Sequence, residues 1–176
     1  MAATGLHRIK SKPLRIDAIR FSPYSPRGTD VSVTLDLMTH DIDLVLWLMG
    51  TAPDSIKGAS QRVRSDHSDA SLAHFTFDQT RVRLEASRIE AASQRRMRLE
   101  YPEGRVDIDF NAKTLTHTTP FELNENFSEV VDAQDSLGAA TNAFISAILN
   151  GTDVPVSGED GLAALRVAKA IERDHG

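Results

Sequence analysis

Between residues 81 and 110 the chain alternates in twos, a pattern no helix can use. Met97, Leu99 and Tyr101 interleave with Arg96, Arg98 and Glu100; Pro102-Glu103-Gly104 interrupts; Val106, Ile108 and Phe110 then interleave with Arg105, Asp107 and Asp109. Upstream, Val82, Leu84 and Ala86 alternate with Arg81, Arg83 and Glu85. A strand sends successive side chains to opposite faces, so this spacing gathers apolar residues on one side and charges on the other. The Pro-Glu-Gly break supplies a turn, and opposite charges facing one another across the hairpin favour the pairing. The pattern predicts a sheet that is largely antiparallel, with one covered and one open face. Further strands are expected at 14–21, at 55–64, at 70–77, where Ala73, Phe75 and Phe77 alternate, and at 113–118.

Helices must cover the apolar face, and three segments have the spacing for it. Residues 33–50 form an apolar run that ends at Gly50, a residue suited to the left-handed position that closes helices, with Pro53 beyond. Leu137, Ala140, Phe144, Ala147 and Ile148 recur at helical spacing before Asn150-Gly151. Ser157-Gly-Glu-Asp160 is a capping-box pattern that opens a helix through Leu162, Leu165, Ala168 and Ile171. Residues 22–28, with two prolines and a glycine, and the acidic stretch 120–134 read as loops. Strand, helix, a run of strands and two helices make an α+β fold: a largely antiparallel (mixed), open-faced β-sheet with helices on one face.

Within the 33–50 helix, Asp36, His40, Asp43 and Trp47 fall within roughly 60° of one another on an ideal α-helical surface. An imidazole one turn from a carboxylate suits proton transfer, because the carboxylate biases the tautomer and the His titrates near neutral pH. Each residue also has a plainer reading. Asp36 lies near the helix start, where carboxylates cap free amides. His40 alone could be a satisfied core histidine, and Trp47 with residues 44–48 reads as core. A metal set is disfavoured, since a helical stripe presents its groups in a line. His7, His67, His74, His117 and His175 are isolated in sequence and read as loop or surface residues.

Composition excludes several classes. The chain has 176 residues, 40% hydrophobic and 26% charged, ordinary for a soluble single domain. Its longest apolar run falls well short of the ~20 residues that cross a bilayer, and no signal-peptide core is visible; the expected location is cytoplasmic. Without cysteine, disulfides and thiol chemistry are impossible. A net charge of −5, with arginines interleaved by carboxylates, argues against a nucleic-acid surface. No G-x-G-x-x-G or G-x-x-x-x-G-K-[ST] occurs, so no phosphate loop for a nucleotide is present.

Asp36-Leu-Met-Thr-His40-Asp-Ile-Asp43 resembles the D-x-x-x-H-x-x-D segment of the Gfo/Idh/MocA family, named for glucose–fructose oxidoreductase and inositol dehydrogenase. Residues 142–151 and 154–165 are similar to that family's closing pair of helices. The likeness spans about residues 13 to 174 and covers the family's second half, without the N-terminal Rossmann domain. It implies residues 1–12 as the remnant of the interdomain segment and 13–176 as the C-terminal substrate-binding and oligomerisation domain. It further implies NAD or NADP in the full-length protein and no cofactor bound by this chain alone. The implied function is the substrate-binding, acid/base half of a sugar or nucleotide-sugar dehydrogenase, inactive by itself, in a homo-oligomer joined through the open sheet face. In that reading His40 is the general acid/base for a substrate hydroxyl while hydride passes to nicotinamide, Asp36 assists it, and Asp43 supports the pair from behind. Residues 21–30 are similar to members that oxidise UDP-N-acetylglucosamine at the sugar 3-position. On that likeness Tyr24, Arg27 and Thr29 become candidate contacts to the sugar or its diphosphate, although Arg27 reads equally well as a solvated loop residue. The charge-laced strands also fit a different class, a non-catalytic binding or assembly module that self-associates through its sheet.

Overall fold

The period-2 segments pair into one seven-stranded sheet, described here from a computed structural model over residues 2–173. The strands are β1 (Arg15–Phe21), β2 (Ser55–Gln61), β3 (Ala70–Phe77), β4 (Thr80–Ser87), β5 (Gln94–Tyr101), β6 (Gly104–Asp109) and β7 (Thr114–His117). Their spatial order is β2-β3-β4-β1-β5-β6-β7, and every neighbouring pair is antiparallel except β1 with β4. The hairpin register sets Arg96 opposite Asp109, Arg98 opposite Asp107 and Glu100 opposite Arg105. Two of these pairs close as ion pairs, Arg96 with Asp109 at 3.0 Å and Arg98 with Asp107 at 2.6 Å. They lie on the open face, where such bridges contribute little beyond fixing register.

The other face is the core. Ile16 and Ala18 of β1, Phe75 of β3, Leu84 of β4, Leu99 of β5 and Val106 of β6 are all buried. Two helices cover them. α1 (Thr39–Met49) inserts Ile42, Val45 and Met49, while α4 (Gly158–Arg173) inserts Ala164, Val167, Ala168 and Ile171. Each fully buried aliphatic side chain is worth about 1.5–3 kcal/mol, and truncating one to Ala costs about 2–5 kcal/mol. α1 stops where Gly50 adopts φ +68° and returns its amide to the Leu46 carbonyl. α4 starts as its sequence predicts: Asp160 N–H donates to Ser157 Oγ, and Ser157 N–H donates to Asp160 Oδ2.

Several expectations are corrected in detail. The 55–64 strand ends at Gln61, because Asp69 takes the amides of Val63, Arg64 and Ser65. The 120–134 stretch is not wholly irregular; it contains a 3₁₀ turn (Phe127–Glu129) and the short α2 (Val131–Gln134). α3 (Ser136–Asn150) forms, yet Leu137, Phe144 and Ile148 are exposed and Ala147 alone of its described residues is buried. On α4, Leu162 and Leu165 face outward, because the buried stripe runs through 164, 167, 168 and 171. Trp47 is 46% exposed rather than core, since α1 turns Ile42, Val45 and Met49 inward instead. The 33–50 helix is not α throughout: the turn Thr34–Met38 is π-helical and α geometry begins at Thr39. Apart from these corrections, Leu6 is buried and Lys12 Nζ donates to the carbonyls of Leu48 and Met49, so the 2–12 segment packs on the domain. His175 lies outside the described residues, and His117 is not isolated: its ring contacts Thr119, and Nε2 sits 3.3 Å from Glu125.

Candidate active site

The covered face of the sheet does not end in apolar residues. β1 continues Ile16 and Ala18 with Arg20, and β5 begins with Arg95 before Met97, both on the inward side and opposite each other in register. Two guanidiniums on one buried edge repel and need a counter-charge. The first turn of α1 supplies it, with the buried Asp41. Arg20 binds it through a fork: Nε donates to Oδ2 at 2.7 Å and Nη2 donates to Oδ1 at 3.0 Å. Arg95 receives a lesser share. Its Nε stands 3.9 Å from Asp41 Oδ1 and is buried without a hydrogen-bond partner among the described residues. Its guanidinium carbon lies 4.6 Å from the centre of the Phe110 ring.

His40 is the next residue along and is exposed. Partial desolvation of the ring, then Arg20 and Arg95, lower its proton affinity below that of an ordinary histidine, with Asp41 and Asp36 opposing. The shift favours the neutral imidazole, the form able to accept a proton. Asp43, one turn on, is shifted the other way: burial and the like charge of Asp160 raise its carboxyl, against the pull of His40. It lines, with Leu44, Trp47, Val156 and Asp160, an open groove of about 760 Å³ between α1 and α4.

Asp36 is not used as a cap. Ser32 fills that place, accepting the amide of Leu35 on Oγ and the amide of Asp36 on its carbonyl, while its hydroxyl donates to Glu172. Asp36 sits inside the π turn, whose wider winding displaces it from an ideal α stripe. Thr39 Oγ1 donates to the carbonyls of Thr34 and Leu35 at the junction. Opposite Asp36 is Gly28, at φ +78°, where an added Cβ would stand 3.3 Å from Asp36 Oδ2. The 22–28 loop thus reaches the Asp36 carboxylate by its backbone.

That loop is clamped from below. Arg88 donates to the carbonyls of Gly28, Val31 and Ser68 and, through Nε, to Asp69. Of the loop residues singled out from sequence, Tyr24 lies under the Arg64 guanidinium at 5.3 Å. Thr29 Oγ1 donates to the Pro26 carbonyl, and Arg27 is exposed. The structure therefore gathers His40, Asp36 and the loop backbone at one edge of the sheet, and sets Asp43 toward the groove.

Sequence reasoning missed Arg20, Asp41, Arg95, Asp69 and Arg88. A signal was present for two of them: Arg20 and Arg95 occupy inward positions of otherwise apolar alternations, where an unpaired charge is costly. Among the described residues no group of three or more His, Asp or Glu converges to hold a metal ion, and no helix is long and apolar enough to cross a membrane. Nor do these residues fit a dinucleotide. The single parallel pair, β1 with β4, has no glycine-rich turn opening a helix, and β1 leads into Pro23 and Pro26 instead.

Comparison with known proteins identifies the fold and the family. Residues 17–107 match the model of the GFO/IDH/MocA C-terminal domain. A UDP-N-acetylglucosamine 3-dehydrogenase from Acidithiobacillus ferrooxidans is 32% identical over 173 residues, covering 91% of this chain and 55% of that protein. A crystal structure of that enzyme superposes with a TM-score of 0.81 at 28% identity, over 93% of this chain and 54% of the other. The fold recurs in an oxidoreductase domain protein from Kribbella flavida (TM-score 0.80, 19% identity, 98% of this chain and 59% of that one). It recurs again in a putative myo-inositol dehydrogenase from Sinorhizobium meliloti (TM-score 0.70, 20% identity, 95% and 55%). The chain spans about half the length of the relatives it matches.

Proposed function

This chain belongs to the Gfo/Idh/MocA family, and on that premise we propose that it is the substrate-binding, acid/base half of a sugar or nucleotide-sugar dehydrogenase. Residues 1–12 would join it to a preceding domain, and 13–176 would form the C-terminal domain. The observation that carries the reading is the position of His40: exposed, four residues after Asp36, and next to the buried Asp41 that Arg20 grips in a fork. A neutral imidazole accepts the proton of a substrate hydroxyl as the carbinol carbon is oxidised. Asp36, free of capping duty, stabilises the imidazolium that forms, and Asp43 supports it from the groove side. Tyr24, Arg27 and Thr29 would meet the substrate from the loop. UDP-N-acetylglucosamine is the substrate to try first, given the name of the relative in Acidithiobacillus ferrooxidans.

The oxidation needs a two-electron acceptor that this chain's residues do not hold. NAD or NADP on the remainder of a longer protein is proposed for that part, so this chain alone should show no turnover. In the full-length protein, His40→Ala is expected to lower kcat by about 10²–10⁴-fold, the usual worth of a positioned base. Undiminished NAD(P)H formation in that variant would overturn the role. Activity should fall as pH drops through the His40 pKa, below the ordinary value of about 6.5, because protonation removes the base. A homo-oligomer through the charged open face of the sheet, in the cytoplasm, is proposed with it; sedimentation of a strictly monomeric species at high concentration would remove that part.

A further inference from the structure

The Arg20, Asp41 and Arg95 group holds two cations against one carboxylate, and the carboxylate is not shared equally. Arg20 takes both of its oxygens in a fork, whereas Arg95 has one contact at 3.9 Å and a buried Nε with nothing to donate to. Stacking on Phe110 supports the Arg95 guanidinium from one side without satisfying its N–H groups. Its side chain is still 33% exposed, so a ligand can reach it. A guanidinium held over a ring with its donors unspent offers a fork to the oxygens of a carboxylate or phosphate.

We propose that Arg95 is the anion-recognising residue of the His40 site, taking a phosphate or carboxylate oxygen of the ligand while the Arg20 and Asp41 pair holds it in place. The assignment rests on the proposed function for its location and goes beyond it in naming the residue that reads the charge of the substrate. A consequence follows for His40. The groups that face it are Arg20 of β1, Arg95 of β5 and Asp36, Asp41 and Asp43 of its own helical segment, with Asp160 of α4 acting on Asp43. An anion seated on Arg95 offsets the cations that depress His40 and strengthens it as a base when substrate is present. Free enzyme would keep the weaker base.

The test uses the chain as it is, with UDP as the phosphate probe, glucuronate as the carboxylate probe and N-acetylglucosamine as the neutral control. Calorimetry or NMR titration is expected to show Arg95→Met binding at least one of the two anions tenfold or more weakly, with the neutral sugar unchanged. Which anion suffers tells whether a diphosphate or a sugar carboxylate is read. Arg96→Gln, one residue on and facing the open side of the sheet, should bind like the wild type. Affinities for both anions within twofold of wild type in Arg95→Met, or no binding of either anion by the wild-type chain, overturn the proposal. Should Arg95→Met fail to fold, Arg95→Lys keeps the charge and loses the fork, and a several-fold loss is expected; wild-type affinity there counts against the assignment. Saturating anion is also expected to raise the His40 titration midpoint in the wild type, and an unmoved midpoint refutes the coupling. The two readings fail separately: normal turnover in His40→Ala removes the base but not the anion site, whereas unaltered anion binding in Arg95→Met does the reverse.

Discussion

Two buried aspartates, Asp69 and Asp41, are met by arginines, and their surroundings differ in one respect. Around Asp69 the network is closed. Its carboxylate accepts the amides of Val63, Arg64 and Ser65, the Ser65 hydroxyl and Arg88 Nε, and both Nη atoms of Arg88 donate to carbonyls, three in all. Around Asp41 the network is open, with Arg20 served and Arg95 not. A closed network in a low-dielectric interior fixes backbone; an open one keeps a desolvated charge in reserve at a cost in stability. The first clamps the loop facing Asp36, and the second sits beside His40. Scaffold and candidate site are thus built from the same residue types, distinguished by whether each buried guanidinium nitrogen has a partner.

The comparison is most sharply broken at Arg88. Arg88→Met strands a buried carboxylate and three carbonyls, and a loss of about 3–5 kcal/mol is expected, a fall in Tm on the order of 10 °C. A loss no larger than that of Arg95→Met would remove the distinction. Asp41→Asn leaves two guanidiniums facing a neutral amide and should cost about 2 kcal/mol by denaturant midpoint, the scale of a lost charged hydrogen bond.

The acid limb of stability supplies the next separation. Burial alone would raise the Asp69 carboxyl, but the amides of Arg64 and Val63 and both donors of Ser65 outweigh it and hold the group far below the usual carboxylate range. A depressed folded-state pKa contributes stability that is complete above the unfolded value of about 4 and is lost as pH falls below it. Wild type should therefore lose stability steeply below about pH 4, and Asp69→Asn, weaker at neutral pH, should lose less over the same window. Gly28→Ala forces a side chain onto a left-handed position and into contact with Asp36, for about 1 kcal/mol. The smallest effect is expected at Arg95→Met, within about 0.5 kcal/mol and of either sign, because the charge removed was never fully paired.

Much of the fold could be read from the sequence because its signals are local. The 96–110 hairpin, the Ser157 and Asp160 cap and the Gly50 stop each lie within a few residues of their partners. The edge that carries the candidate site could not be read the same way. Arg20 and Arg95 are far apart in sequence and meet only because β5 pairs with β1. The single parallel pairing, β1 with β4, leaves no mark in either strand's alternation. Trp47 and Leu165 were misjudged because helical spacing identifies a face without saying what that face meets. Where α1 covers the sheet the expectation of core held for Val45; where none of the described residues covers them, as along α3, apolar side chains are exposed.

The placement of β1 has a consequence for how the molecule assembles in time. β1 lies at the centre of the sheet, yet both its neighbours, β4 and β5, come from much later in the chain. The hairpins β3–β4 and β5–β6 need only short loops and can form within microseconds, whereas seating β1 between them requires long-range closure. The central joint should close late, after its flanks are structured. Arg20 arrives with β1 and Arg95 with β5, so the Arg20, Asp41 and Arg95 group beside His40 does not exist in any partly folded species that lacks that joint. A chain arrested before this step would carry a formed hairpin and no site, which makes ligand binding a readout of the last event in folding.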